Sequence, residues 1–241
     1  MEEKDAKKKN KVGIMIFGII SLKSFLYTLL IIFSVLLLIV EGFVYYQRSY
    51  LTPFWVNGQS MYPTLNLHAT DASGNELGEN PNNPSARPGY TVDYGVMDTH
   101  KKAINKIERF NVVVTKYSKT DTSNKIKRVL GLPGETIEFK DDGDLYINGA
   151  YVEQPLAETY IRGAKYPVGE TVLGEDEYYV CGDNRKHSSD SKNIGPIKKE
   201  YITGKVIAIC ATATVYLNKD ENGNDFLDIK DIDYYWPRYL K

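Results

Sequence analysis

Four separated segments hold hydroxyls, amines and carboxylates at spacings that could do chemistry. They are Val56–Leu65 (VNGQSMYPTL), Glu108–Val114 (ERFNVVV), Ile126–Glu135 (IKRVLGLPGE) and Gly182–Lys192 (GDNRKHSSDSK). A serine hydroxyl is a weak nucleophile and needs a base. Ser60 does not sit in a Gly-x-Ser-x-Gly turn, so it is not a nucleophile elbow. A free lysine keeps its proton near neutral pH and accepts none, but burial among apolar groups disfavours the ammonium and lowers its pKa. Lys127 is followed by Val129, Leu130 and Leu132. In an extended strand Lys127 and Arg128 point to opposite faces. Lys127 can therefore enter an apolar site while Arg128 makes polar contacts elsewhere. Lys125 shares the face of Lys127 but stands outside the segment's core. Each segment alone is ordinary: a lone serine, a solvated strand lysine, a Gly-Asp-Asn turn. Their joint occurrence in this order is not.

Together the segments resemble those of the type I signal peptidases, within the wider serine–lysine protease superfamily. Gly58–Pro63 fits the form GxSMxP, Lys127–Glu135 fits KRxxGLPGE, and Gly182–Ser191 fits GDNRxxSxDS. The resemblance implies that Ser60 attacks the scissile carbonyl and that Lys127 is the general base and then acid, a variant of triad logic without histidine. It implies that Ser188 orients the amine, with Asp183, Arg185 and Asp190 in the supporting network. Two candidates present themselves as oxyanion donors, the Ser60 backbone N–H and the Asn57 side-chain amide. The implied substrate is the signal peptide of an exported preprotein, with small residues at positions −1 and −3. It would lie extended beside a strand with alternate side chains in pockets, and Met61 is a candidate wall. No cofactor or metal is implied. The chain departs from the family in three places: Arg109-Phe110-Asn111 replaces the common Arg-Gly-Asp, Lys192 stands where arginine is usual, and the loop between the first two segments is long.

Ahead of the first segment, Phe25–Tyr46 (FLYTLLIIFSVLLLIVEGFVYY) is apolar except for Glu41. At helical rise it spans about 33 Å, a bilayer core. Lys4, Lys7, Lys8, Lys9, Lys11 and Lys23 precede it, and Phe43, Tyr45 and Tyr46 end it, as an interfacial belt would. The expectation is a single-pass plasma-membrane helix with a cytoplasmic N-terminus and an extracellular catalytic domain. A cleaved leader would have a shorter apolar run and small residues near a cut site. Residues 12–22 are apolar but too short to span, and read as interfacial or as an extension of the helix.

Beyond the anchor, Val112–Lys116, Ile126–Leu130, Thr136–Phe139, Leu145–Ile147, Tyr178–Cys181 and Val206–Tyr216 read as strands, with turn signals at Asp142-Gly143 and Asn148-Gly149. The expected fold is mainly β: an N-terminal transmembrane helix, then a signal-peptidase/repressor-protease-like β-domain with a smaller β insertion. The expected boundaries are a basic N-terminus over 1–24 and the anchor over 25–46. The catalytic core occupies 47–140, with a long loop at 66–95, and resumes over 176–216 after an insertion at 141–175. A tail covers 217–241. A formal net charge of −1 leaves no electrostatic footprint for nucleic acid. Cys181 and Cys210 leave one disulfide open, but their strand-like contexts read first as unpaired core thiols. A non-catalytic relative serving surface-protein assembly would be expected to lack Ser60 or Lys127. A self-cleaving repressor core would carry a DNA-binding helical domain in place of the anchor.

Overall fold

The computed structural model describes residues 22–78 and 86–240. The basic N-terminus and most of the apolar 12–22 segment lie outside the described residues. The first helix, α1, runs Leu22–Tyr50, longer at both ends than the apolar stretch alone suggests. Residues 24–50 are long and apolar enough to cross a membrane, and none of that stretch's most apolar window is buried by protein. The chain divides into residues 1–49 and 50–241.

In the second unit twelve strands follow: β1 (Leu51–Trp55), β2 (Thr91–Asp98), β3 (Val112–Thr115), β4 (Lys125–Gly131), β5 (Thr136–Lys140), β6 (Asp144–Ile147), β7 (Ala150–Val152), β8 (Thr171–Val172), β9 (Glu177–Cys181), β10 (Ile197–Lys198), β11 (Ile202–Lys219) and β12 (Asp225–Tyr239). The larger sheet runs β1-β2-β11-β3-β4-β9-β10, with β12 also paired to β11, and the smaller runs β7-β6-β5-β8. Mainly β architecture is what the alternating segments predicted. β5 belongs to the smaller sheet, so that sheet begins before residue 141. Residues 217–241, expected as a tail, contain β12 instead, which pairs antiparallel with β11. Its aspartates, Asp225, Asp228, Asp231 and Asp233, disguised it, because they make the stretch read as polar. β1 was also missed. It contains Pro53, which a strand tolerates at a sheet edge, and β1 is an edge strand.

Packing explains why the strands hold the site where they do. Val56, Met61 and Leu65 from the turn after β1 join Met97, Val112, Val114, Val206 and Ile209 in one buried cluster, with Phe54, Ile126 and Leu240 against it. Trp55 packs instead with Ala86, Tyr90, Val92 and Val215. A second cluster joins Leu130, Tyr179 and Cys181 of β4 and β9 to Ile137, Phe139, Leu145 and Ile147 of the smaller sheet. The insertion thereby braces β4, which carries the third segment, and β9, which leads into the fourth. Asn148 and Gly149 both take positive φ, the turn that Asn-Gly favours. Both cysteines are free, Cys181 buried and Cys210 half-buried.

The departure at Phe110 has a structural consequence. Phe110 adopts φ 69°, the left-handed region that glycine occupies without penalty. Arg109 holds the turn by placing both terminal nitrogens on Glu135, at 3.0 and 2.6 Å, and Asn111 Oδ1 accepts from the Glu108 N–H at 2.9 Å. The Phe110 ring packs against the second cluster, which offsets the backbone strain. Phe110→Gly and Phe110→Ala both lose that packing, but only glycine relieves the strain, worth about 1 kcal/mol. Phe110→Gly is therefore expected to melt above Phe110→Ala. The reverse order in a thermal melt would show an unstrained turn.

Candidate active site

Ser60 lies in a tight turn after β1. Gly58 enters it with φ 103°, the Tyr62 N–H donates to Gln59 O at 3.1 Å, and the Leu65 N–H donates to Met61 O at 2.9 Å. The buried Asn66 staples this turn from beneath. Its Nδ2 donates to Val56 O and Gly58 O, both at 3.1 Å, and its N–H and Oδ1 pair reciprocally with Asp93, both at 2.8 Å. Arg238 of β12 reaches the same turn, donating to Thr64 O at 2.7 Å and to Asp93 Oδ2 at 3.1 Å. Sequence reasoning missed Asn66, Asp93 and Arg238. Their partners include residues 27 and 145 or more positions away, and no local pattern marks them.

Lys127 stands on β4, opposite Val113 of β3. Its side chain is buried, and Nζ lies 2.9 Å from Ser60 Oγ and 3.0 Å from Ile126 O. Burial presses the amine down to about 8 from its ordinary value of 10.5; Asp190 opposes the shift, and Lys192 and Lys125 add to it. Lys192 Nζ contacts both Asp190 oxygens, at 2.8 and 2.7 Å. The lysine at the usual arginine position thus still engages the whole carboxylate, which is buried with it and pulls less strongly on Lys127 for being paired.

The Gly182–Lys192 segment closes the site from the other side. The Asn184 N–H donates to Ser60 O at 3.1 Å, the Gly182 N–H donates to Asp190 Oδ2 at 2.9 Å, and the buried Arg185 donates from Nε to Gly182 O at 3.0 Å. Ser188 Oγ is buried and does not bond to Lys127; it stands beside the Asp190 carboxylate and helps hold that group below its ordinary range. It sits over Gly182, where a Cβ would fall 2.2 Å from it and 2.4 Å from Ser60 O. Asp183 is turned elsewhere. It pairs with Arg128 through Nε at 2.8 Å and Nη2 at 2.7 Å, and accepts from Thr64 Oγ1. Arg128 and Lys127 thus divide their partners as strand alternation requires. Asn57 uses Oδ1 to accept from the Ala86 N–H at 2.7 Å, which leaves its Nδ2 as the donor end. Among the described residues nothing accepts from the Ser60 backbone N–H.

A cleft of about 380 Å³ opens on the pair, lined by Thr52–Gly58 on one side and Asn124–Lys127 on the other, with Met61, Met97 and Val114 beneath. Met61 is almost fully buried and belongs to floor and core together. Phe54 and Trp55 also pack into core clusters while lining the cleft.

Residues 24–211, most of the chain and all four segments, match the family described as signal peptidase, peptidase S26. The chain belongs to the type I signal peptidase family. It is 31% identical over 184 residues to signal peptidase I S of Bacillus subtilis (strain 168), covering 73% of this chain and 82% of that protein. It is 30% identical over 188 residues to signal peptidase IB of Staphylococcus aureus (strain Mu50 / ATCC 700699), covering 71% and 81%. A signal peptidase I crystal structure from Enterococcus faecalis V583 shares 31% identity at a TM-score of 0.36, covering 42% of this chain and 96% of that one. As a signal peptidase I family member the chain is a hydrolase of the protease class. Its family match begins inside α1, so the apolar helix and the β-domain fall within one matched unit.

Proposed function

We propose that this chain is a membrane-anchored serine endopeptidase that removes N-terminal signal peptides from exported preproteins through a Ser60–Lys127 dyad. The observation that carries the reading is the buried Lys127 amine 2.9 Å from Ser60 Oγ at the end of an open cleft. As an ammonium, Nζ donates to Ser60 Oγ and Ile126 O. After losing its proton it keeps Ile126 O as acceptor and turns its lone pair to the serine hydroxyl. Ser60 Oγ then attacks the scissile carbonyl as Lys127 takes the proton, and the ammonium returns it to the leaving amine. Water repeats the cycle to release the acyl group. The Ser60 N–H and Asn57 Nδ2 supply the oxyanion donors. The Asn184 N–H holds the Ser60 carbonyl and Arg185 steadies the Gly182 carbonyl beside it, while Ser188 and Asp190 close the pocket over the amine.

The substrate lies extended between the outer edge of β1 and the first residues of β4. Among the described residues β1 pairs only with β2, on its other side, and Lys125–Lys127 lie ahead of the β4–β9 pairing. Both edges therefore have backbone groups to offer a third strand. Small residues at −1 and −3 fit a floor of Met61, Met97 and Val114 that stands close beneath the peptide. The lysines before α1 orient the helix with its N-terminus in the cytoplasm and the β-domain outside.

The test is cleavage of a preprotein with alanine at −1 and −3 by the full chain in detergent micelles. With Lys127 acting as a neutral base, kcat/KM rises with pH through about 8 and levels above it. Cleavage with no acid limb in that region would remove Lys127 from the role of base. Folded protein that cleaves no such preprotein would favour a role in surface-protein assembly instead.

A further inference from the structure

We propose that Tyr117, which lies outside all four segments, is a positioning residue for the Ser60–Lys127 pair. Its hydroxyl donates to the Ser189 carbonyl, 72 residues away in the chain, and so holds the Ser188–Asp190 segment against Lys127. The inference rests on the dyad reading above.

Tyr117 opens the connection between β3 and β4, and that connection is built around it. Asp121 accepts from the Tyr117 N–H at 3.1 Å, from the Ser123 N–H at 3.0 Å and from Lys125 Nζ at 2.9 Å. Lys125 Nζ stands 5.0 Å from the centre of the Tyr117 ring. On its other side the ring packs against the buried cluster of Ile107, Val113, Val129, Tyr178, Val180 and Ile197. The ring is thus fixed between a cation and the core, with its hydroxyl aimed at Ser189. Burial, then Asp190, Cys181 and Asp121, raises the phenol well above its ordinary value, so it remains a proton donor.

The segment it grips needs an outside hold. Ser188 Oγ is buried and faces Asp190 within the same segment, a contact that ties the segment to nothing beyond itself. Asp190 is fixed by Lys192 and by the Gly182 N–H. Ser189 lies between them and is exposed. The groups acting on Lys127 are Asp190 and Lys192 after β9, Cys181 on β9, and Lys125 on β4. Tyr117 holds the segment that carries the first and contacts the last through its ring. Without the hydroxyl, the Ser188–Asp190 segment loosens, water reaches the amine, and the largest influence on it, exclusion from solvent, weakens.

The experiment compares wild type, Tyr117→Phe, Tyr117→Met, Ser60→Ala and Lys127→Met as full chains in detergent micelles, on a preprotein with alanine at −1 and −3. For Tyr117→Phe, kcat at pH 7 is expected to fall about tenfold, the effect of one lost hydrogen bond to a polar site. KM stays unchanged, because Tyr117 does not line the cleft. The acid limb of the pH profile moves upward, so most activity returns at pH 9. Tyr117→Met moves the limb equally, whatever it does to the melting temperature. A uniform loss at every pH, or a shifted limb in the Met variant alone, overturns the inference and leaves Tyr117 a packing residue. The two readings separate cleanly: cleavage surviving in Ser60→Ala or Lys127→Met sinks the dyad. Inactive dyad variants beside an unmoved limb in Tyr117→Phe sink only the role of Tyr117.

Discussion

Lys127→Met is expected to abolish preprotein cleavage, by roughly 10⁴-fold or more, and at the same time to make the protein more stable at pH 7. Methionine fills nearly the same space without the amine. The stability gain follows from the sign of the lysine shift. The folded amine titrates at about 8 and the ordinary value is 10.5. Between those values the unfolded chain binds more protons, so folding stability rises with pH across that window. Below about pH 8 both states are protonated and the whole cost of burying the ammonium is present, roughly 3 kcal/mol. Removing the amine removes that cost. The melting temperature of Lys127→Met should exceed wild type at pH 7, and the gap should close toward pH 10. A variant that is inactive but less stable at every pH would mean that the amine contributes to the fold, and that its loss of activity is no evidence for a base. Ser60→Ala provides the partner result: equally inactive, but with stability little changed, because the half-buried hydroxyl carries no such cost.

Gly182→Ala is expected to give the second largest effect, and for a purely steric reason. The backbone at Gly182 does not take the left-handed conformation that excludes other residues. What excludes them is space. A Cβ would lie 2.4 Å from the Ser60 carbonyl oxygen and 2.2 Å from Ser188 Oγ. Neither can retreat cheaply. Ser60 O accepts from the Asn184 N–H at 3.1 Å, and the Ser188 hydroxyl is already buried. One methyl group thus pushes on the nucleophile and on the segment over the base together. Overpacking of this kind costs about 3 kcal/mol or more, and activity should fall at least about a hundredfold because the serine is displaced from its attack geometry. Gly174→Ala is the control. Its nearest neighbour would be the movable Glu177 carboxylate at 3.2 Å, so activity and melting should change little. Equal effects at the two glycines would place the loss in the general stability of the domain rather than in the site.

The strands that the sequence disclosed are of two kinds: β5, β6 and β11, whose burial alternates, and β3, β4 and β9, short apolar runs that are buried throughout most of their length. β5 and β6 differ from their expected limits by one residue, as does β9. β12 stayed hidden because Asp225, Asp228, Asp231 and Asp233 make it read as a polar tail, and only pairing with β11 reveals it. Arg238 at its end is consequently a residue of the nucleophile turn that no local pattern announces. β1 stayed hidden behind Pro53, and β2 runs directly into the polar loop that precedes it.

By itself the sequence determined the apolar helix, the hairpin turn at Asn148-Gly149, the order of the four segments, and the alternation that sends Lys127 and Arg128 to different partners. These depend on residue type and short spacing alone. Only the tertiary structure decided the rest. It brought an amine within 2.9 Å of a hydroxyl 67 residues earlier, paired Asp183 with Arg128 rather than with the site's lysine, turned Ser188 to Asp190, and set Tyr117 against Ser189. The pKa of Lys127 belongs to the same class. Exclusion from water is a property of what surrounds a side chain, and its neighbours come from β3, β4, β9 and the segment after it, which only the folded chain assembles.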